Sequence, residues 1–146
     1  MSSNISGVDN LMKKLGDLEQ LFQSGVIEQA VQRGCMTVQA EAIQLCPVDK
    51  GELRQSIMTK VDRTNEGVTG KVYTNKEYAP YVELGTGSKG KSTYKGDLDI
   101  TYNEQWAGQP AQPYLYPALK NNEEAVLKDI KKDIDEEIRK VTGNAK

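Results

Sequence analysis

The sequence predicts an α+β fold in which a long amphipathic helix packs on a small antiparallel sheet and a long C-terminal helix follows. Apolar residues recur at helical spacing within residues 27–45 and 127–141, and two alternating segments flank the turn-forming residues 65–67. A chain of 146 residues has the usual length of one domain. We therefore interpret residues 1–146 as a single domain.

Composition restricts the classes of function. The net charge of -2 gives no bulk electrostatic attraction to nucleic acid. No apolar run approaches the roughly 18 residues of a membrane span, and the N-terminus lacks the pattern of a secretory signal. We therefore expect synthesis in the cytoplasm and no membrane contact. The chain has no histidine, which excludes serine–histidine and cysteine–histidine catalysis.

The N-terminal segment, residues 1–23, is expected to be held loosely. A short helix is predicted within it, and Gly16 is the residue expected to end that helix. Its apolar positions follow helical spacing: Val8, Leu11, Met12 and Leu15.

The next helix is predicted to be long and continuous. Ser24 is its expected N-cap and Pro47 ends it, while Gly34 either permits a close helix crossing or is tolerated. Cys35 and Cys46 lie 11 residues apart. That is about 16 Å along a helix, too far for a disulfide. The apolar stripe consists of Ile27, Val31, Cys35, Val38, Ala42 and Leu45.

A β-hairpin is predicted after this helix. Residues 49–51 form a turn, residues 53–63 alternate as the first strand, and residues 68–74 return as the second strand. The hairpin turn is placed at residues 65–67. Two strands alone are marginally stable, so the hairpin must pack on the long helix or pair with another chain.

Residues 78–84 are too short to assign from their pattern, and a helical turn with Gly85 as its left-handed cap is one arrangement. Residues 86–112 are expected to form a long loop or insertion, in which residues 98–102 can add a short strand. The loop carries three lysines that raise its local charge: Lys89, Lys91 and Lys95.

The last helix is predicted to run from its first turn near Pro117 to about Val141, before Gly143. Its apolar stripe is narrow and suits packing against one partner helix. We expect that partner to be the long helix of the same chain rather than a second copy. The stripe consists of Leu127, Ile130, Ile134, Ile138 and Val141.

Residues 85–92 satisfy the Walker A pattern G-x-x-x-x-G-K-[ST]. A P-loop requires a buried strand before the loop and a helix that starts at its end. Pro80 and Glu83 interrupt the preceding segment, and no helical period follows Ser92. We interpret the pattern as a chance match and predict no cofactor, no metal site and no catalytic residue.

Glu83 lies among apolar neighbours, where a carboxylate serves either as an acid or base or as a buried hydrogen-bond acceptor. Because no second catalytic group is identifiable, we favour the structural role.

Three segments carry a resemblance to a known family. Residues 46–57 read CPVDKGELRQSI, residues 78–87 read YAPYVELGTG and residues 109–119 read QPAQPYLYPAL. In type and order they resemble the HK97-like neck and tail-completion family, the head–tail joining proteins of long-tailed bacteriophages. The resemblance extends from about Val8 to Val141 and is lost within residues 88–109.

The resemblance implies a non-enzymatic virion protein at the head–tail junction that forms a ring, expected to be sixfold, and joins tail to head. Implied partners are further copies of the chain, head-closure proteins and tail-terminator or tail-tube proteins, and the implied location is the virion neck. It also favours the helical turn at residues 78–84. The implied motif residues are Asp49, Gly51, Leu53, Tyr78, Tyr81, Glu83, Gly85, Pro113, Leu115, Pro117 and Leu119.

Three alternatives stay open. In the first, the chain belongs to the same phage particle but is a tail terminator that caps the tail tube. A nucleotide-binding enzyme depends on residues 85–92, and a small nucleic-acid-binding module would show salt-dependent affinity for DNA. Within the neck interpretation, we hypothesise that the lysines at 89, 91 and 95 contact DNA in the ring lumen or an acidic neighbouring subunit.

Overall fold

The computed structural model describes residues 2–48 and 51–143. The predicted Asp49 motif position and most of the turn at residues 49–51 lie outside the described residues. The mixed α+β class is confirmed, with a two-stranded antiparallel sheet. The elements in chain order are α1 (Ser2–Gln23), α2 (Val26–Leu45), α3 (Glu52–Gln55), β1 (Met58–Thr64), β2 (Gly67–Tyr73), α4 (Ala79–Leu84), α5 (Gly87–Thr93) and α6 (Leu115–Thr142).

The two long helices α2 and α6 pack against each other in antiparallel orientation. Arg33 pairs with Asp133 at 2.7 Å near one end. The Asn121 amide donates to Glu41 at 3.0 Å nearer the other. The predicted packing of the last helix on the long helix of the same chain is therefore confirmed. Leu127, predicted as part of the packed stripe, is instead 65% exposed.

Gly34 allows this close crossing. A Cβ added there would lie 2.6 Å from Val126 Cγ1 and 3.3 Å from Ile130 Cδ1. Such approaches are closer than van der Waals contact, so the absence of a side chain sets the distance between α2 and α6. Of the two interpretations of Gly34, the structure supports the close crossing.

The hairpin lies on α2, as predicted. Thr64 pairs with Gly67, so Asn65 and Glu66 form the two-residue turn between the strands. The Gln32 side chain of α2 donates to Thr59 Oγ1 at 2.8 Å. This bond ties β1 to the helix, and the marginal two-stranded sheet gains the packing it needs.

The first strand begins later than predicted. Residues 52–55 form the helical turn α3 after Gly51, whose φ of 71° is strain-free only for glycine. These four residues have good helix propensity, and Arg54 Nη2 donates to the Cys46 carbonyl at 3.0 Å. The prediction of a strand from residue 53 arose because Leu53 and Ile57, both buried and four residues apart, fit a helical turn as well as an alternating strand.

The N-terminal helix is longer than predicted. It continues through Gly16, because one glycine costs a helix only about 1 kcal/mol. Ser24 does not cap α2: its hydroxyl donates to the Leu21 carbonyl at 2.6 Å and so closes α1. Gly25, at φ 90°, takes the N-cap position of α2.

The predicted loop at residues 86–112 contains the helix α5, and no strand forms at residues 98–102, which follow an irregular path. The predicted end of α6 is confirmed, since Gly143 caps it with a left-handed φ of 77°. Among the described residues, no helix combines the length and apolarity that a bilayer span requires.

The core is built from all three motif segments. Its members come from α2 and from residues 46–57, 78–87 and 109–119, which are distant in sequence. The buried residues are Val38, Ala42, Cys46, Leu53, Ile57, Ala79, Tyr114 and Ala118. The main role of the motif residues is therefore to build the core of the fold. Cys35 and Cys46 are both free and buried, and burial raises the pKa of each thiol.

We expect Gly34→Ala to lower the free energy of unfolding by about 1–3 kcal/mol, because β-branched Val126 has little rotamer freedom to move away from the new methyl group. Gly16→Ala is the matched control, since a Cβ there meets nothing within 4 Å. The control should leave stability unchanged or raise it by about 0.5–1 kcal/mol. Urea unfolding of both variants provides the measurement, and a Gly34→Ala protein at least as stable as wild type would contradict the close-crossing argument.

Candidate functional site

Glu83 caps the N-terminus of α6. Its Oε2 accepts from the backbone N–H groups of Tyr114 at 2.7 Å and Leu115 at 3.0 Å. Its Oε1 accepts from the N–H of Tyr116 at 2.9 Å. These N–H groups have no partner within the helix, and a carboxylate at a helix N-terminus is favoured by the helix dipole. Both oxygens are thus engaged in the structural role that we favoured from the sequence.

The short helix α4 positions this carboxylate. Pro80 lies in the first turn of α4, where its missing N–H is not needed. The helix ends at Gly85, where φ is 74° and ψ is 177°. The helical turn at residues 78–84 is confirmed, but Gly85 is not a left-handed cap. Its extended ψ turns the chain away from α4 into the segment that follows.

Tyr114 lies beside the Glu83 carboxylate at the base of α6. It is fully buried, and its hydroxyl has no hydrogen-bond partner among the described residues. Burial, reinforced by the nearby Glu83 carboxylate, raises the pKa of Tyr114 well above its ordinary value. The ring is therefore a packing element, and its hydroxyl contributes no bond to the fold.

Residues 85–112 form a compact lobe held by close backbone approach. Thr86 and Gln109 exchange backbone hydrogen bonds at 2.9 and 3.1 Å. A Cβ on Gly90 would lie 2.6 Å from the Gly85 carbonyl carbon, and a Cβ on Gly108 would collide with the Thr86 carbonyl. The glycines of the lobe are therefore required by packing of one backbone on another.

The Walker A match at residues 85–92 lies in this lobe without P-loop geometry. The helix α4 precedes it instead of a strand, and α5 starts inside the pattern. The N–H groups of Ser88 and Lys89 donate to the carbonyls of Trp106 and Ala107 at 2.9 and 3.0 Å. In a P-loop such N–H groups hold phosphate. Here they are already used, which also explains why a segment without helical periodicity forms α5.

The three lysines of the lobe lie at its surface. All three side chains are exposed. Lys91 pairs with Glu104 at 2.9 Å, and both side chains remain open to solvent. Lys89 and Lys95 therefore carry the free positive charge among these three. No set of three or more Asp, Glu, Cys or His side chains suited to a metal ion occurs in the described part of the chain.

The remaining motif positions divide between two surface depressions. A cleft of about 380 Å³ is lined by Gly51, Leu53 and Tyr78 together with residues 109, 110 and 112, so all three motifs meet there. A larger groove of about 590 Å³ is lined by Glu83, Leu115 and Leu119. Outside both lie exposed Tyr81 and Pro113, Gly85 within the lobe, and half-buried Pro117 in the first turn of α6.

The comparison that identifies the chain concerns its first half. Residues 9–85 match the family model described as "Bacteriophage HK97-gp10, putative tail-component". The match covers more than half of the 146 residues. The chain belongs to this HK97-gp10-like family. Comparison with curated proteins and with solved structures finds no match.

The HK97-gp10-like match runs from α1 to Gly85, so it includes Glu83 but not the helix that Glu83 caps. Residues 86–112 of the lobe and the helix α6 lie beyond the matched residues. The resemblance in residues 46–57 and 78–85 is therefore confirmed by the family match, whereas the assignment of residues 109–119 depends on their contacts with these segments.

Sequence reasoning missed one surface of this HK97-gp10-like chain. The apolar face of α1 was predicted as a helix face, yet the structure leaves it uncovered: Val8 is 57% exposed, Leu11 57%, Met12 63% and Leu15 53%. We name this face the α1 stripe, which ends at Phe22, also exposed. Periodicity identifies such a face but does not say what covers it.

We expect Glu83→Gln to lower the free energy of unfolding by about 2–4 kcal/mol. Glutamine keeps the size of the side chain but replaces one acceptor oxygen with an NH₂ group that faces an N–H donor. Glu124→Gln, at an exposed position of α6, is the control and should change stability by less than about 0.5 kcal/mol. Equal unfolding midpoints for the two variants in urea would show that Glu83 does not hold α6.

Tyr114→Phe is expected to match or exceed wild-type stability at pH 7, by up to about 1 kcal/mol, because the lost hydroxyl has no partner among the described residues. The raised pKa of Tyr114 favours the protonated folded state. Below about pH 10, the value of an unfolded tyrosine, the proton is bound in both states and stability does not depend on the ionisation of this group. As pH rises above that value only the unfolded state ionises, so wild-type stability falls. The variant should lose less stability than wild type above about pH 10.

Unfolding midpoints between pH 7 and pH 11 measure this difference. Tyr81→Phe, which removes an exposed hydroxyl, is the matched control and should follow the wild-type profile. A Tyr114→Phe protein with the same alkaline profile as wild type would contradict the assignment.

Proposed function

We propose that this phage tail component is a structural virion protein of the neck, which forms a ring at the head–tail junction and joins tail to head. The family match supports the location in the tail. The exposed α1 stripe is the observation that carries the proposal of assembly.

The α1 stripe makes little contribution to the stability of a monomer, because its side chains are exposed. Fully burying a Val, Leu, Met or Phe side chain is worth about 1.5–3 kcal/mol, and a continuous exposed apolar face marks an interaction site. An assembly protein retains such a face because a neighbouring subunit covers it. A monomer of this HK97-gp10-like chain would keep these apolar side chains in water and would not gain the free energy of burying them.

The polar groups that most resemble a catalytic acid or a phosphate-binding loop form hydrogen bonds within the fold. Glu83 uses both carboxylate oxygens to cap α6, and the N–H groups at the start of α5 bond to residues 106 and 107. The proposed work of the chain is accordingly to present surfaces to its neighbours, with no catalytic step and no cofactor.

The proposed partners are copies of the same chain within the ring, expected to be sixfold, a head-closure protein on one side and tail-terminator or tail-tube proteins on the other. The proposed site of action is the virion, after synthesis in the host cytoplasm. The exposed lysines of the lobe are proposed to face DNA in the lumen or an acidic neighbour. Lys89 and Lys95 contribute most, because Lys91 is paired with Glu104.

Electron microscopy of phage particles assembled without the chain tests the proposal. The expected result is DNA-filled heads and tails of normal length that remain separate, with joining restored when the chain is supplied. Overlong tails would instead identify a tail terminator, since the length of the tube would then lack its stop. Normally joined particles would overturn both assignments.

We expect the combined change Lys89→Ala, Lys91→Ala and Lys95→Ala to reduce joined, infectious particles by at least about tenfold while the unfolding midpoint stays unchanged, because surface charges contribute little to stability. A variant with the same change of charge on α6, at exposed Lys128, Lys131 and Lys132, is the control. Normal infectivity of the lobe variant would remove these lysines from the proposed contact.

A further inference from the structure

The described part of α1 is an arm rather than a packed helix. Every residue from Gly7 to Leu15 is exposed. Contact with the body is made by the last turns, where Leu21 is buried and lies with Asp17 in a shallow cleft beside Glu137 and Val141 of α6. The arm is therefore anchored at the C-terminal end of α6, and its residues 7–15 remain exposed in the described part of the chain.

The apolar residues of the arm do not face its anchor. At 3.6 residues per turn, Leu21 lies about 120° around the helix from Leu15. The α1 stripe, which is centred near Leu15, is thus directed away from the side that packs on α6. Bending the arm toward its own body would not bury the stripe without rotating the whole helix.

The groove introduced above is a second unpartnered apolar surface. It lies between α2, β2 and α6 and is lined mainly by apolar side chains that keep some exposure, among them Val31, Val72, Leu119, Val126 and Ile130. Leu119 at its edge is 50% exposed. The groove occupies the N-terminal half of α6, whereas the arm is anchored at the opposite end of that helix.

The stripe and the groove have matching lengths. From Val8 to Phe22 the α1 stripe spans 14 residues, about 21 Å of helix. Along α6 the groove runs from Leu115 to Ile130, which is 15 residues or about 23 Å. Apolar residues at i, i+3, i+4 and i+7 are the pattern with which a helix binds an apolar groove.

From this match we propose that the α1 stripe of one copy docks into the groove between α2, β2 and α6 of the next copy. The inference rests on the proposed ring and names the surfaces that build it. Because stripe and groove are different surfaces, each copy keeps a free groove when its arm is bound. Contacts of this head-to-tail kind propagate until the rotation between copies closes a ring.

Cysteine crosslinking between two different variants tests the contact. Leu15→Cys protein and Leu119→Cys protein are mixed in equal amounts and oxidised mildly, each variant alone serving as a reference. A disulfide between the two introduced cysteines, identified by peptide mass spectrometry, is the expected result. Lys13→Cys replaces Leu15→Cys in the matched control, because Lys13 is exposed and lies on the opposite face of α1.

The yield of the mixed disulfide should be at least tenfold higher with Leu15→Cys than with Lys13→Cys. Equal yields, or no mixed disulfide at any protein concentration, would overturn the docking. In oxidised particles that carry the Leu119→Cys variant, a disulfide formed only with another protein of the particle would also overturn it, since the occupant of the groove would then not be a second copy.

Light scattering of the double variant Leu11→Glu/Leu15→Glu gives an independent measurement. Its assembled mass should fall to that of the monomer with no change in unfolding midpoint, because both side chains are exposed in the monomer. Lys13→Glu changes the net charge by the same two units and should assemble like wild type.

These outcomes separate the docking from the proposed function. A wild-type ring that survives Leu11→Glu/Leu15→Glu would overturn the docking and leave the ring in place. Particles that join heads to tails without the chain would overturn the proposed function, whatever the crosslinking shows.

Discussion

The fold depends on a single carboxylate that holds the start of its longest helix. Glu83 binds the first free N–H groups of α6 from a short helix more than thirty residues earlier in the chain. The helix that it fixes packs on α2, and α2 in turn supports the hairpin. Because Tyr114 is buried at the same point, removal of the carboxylate would leave unpaired N–H groups beside a fully buried ring. The middle and last motif segments thus meet at this cap.

Strong periodicity made the large elements predictable. The helix α2, the two-residue hairpin turn and the end of α6 at Gly143 follow from apolar spacing and from turn and cap chemistry. The elements that were missed depend on distant partners. The helix α5 forms because carbonyls of residues 106 and 107 accept its first N–H groups, and no local pattern encodes that contact. The helical turn α3 was missed because the apolar residues Leu53 and Ile57 are four apart, a spacing that fits one face of a helix and also one side of a strand.

The candidate site was predictable in part. The apolar neighbours of Glu83 indicated a structural acceptor, but its donors lie far along the chain and could not be named from spacing. The glycines of residues 85–92 satisfied a phosphate-binding pattern, whereas the structure shows that Gly85 and Gly90 are required by mutual backbone contact. Glycine is required both in a phosphate-binding loop and where two backbone segments approach closely, and only the three-dimensional structure shows which of these applies. Exposure of the α1 stripe is likewise a property of the fold and not of the helix.

The connection between α1 and α2 turns the N-terminal helix into a lever. Its direction is set by the contact of Leu21 with α6 together with the short link at Ser24 and Gly25, where Gly25 holds a φ of 90° that other residues adopt only with strain. The 22 residues of α1 make a rigid rod about 33 Å long. A rotation of about 10° at this pivot displaces the free end of the rod by about 6 Å, roughly the pitch of one helical turn. The position of the free end of α1 therefore depends strongly on the backbone angles of one glycine.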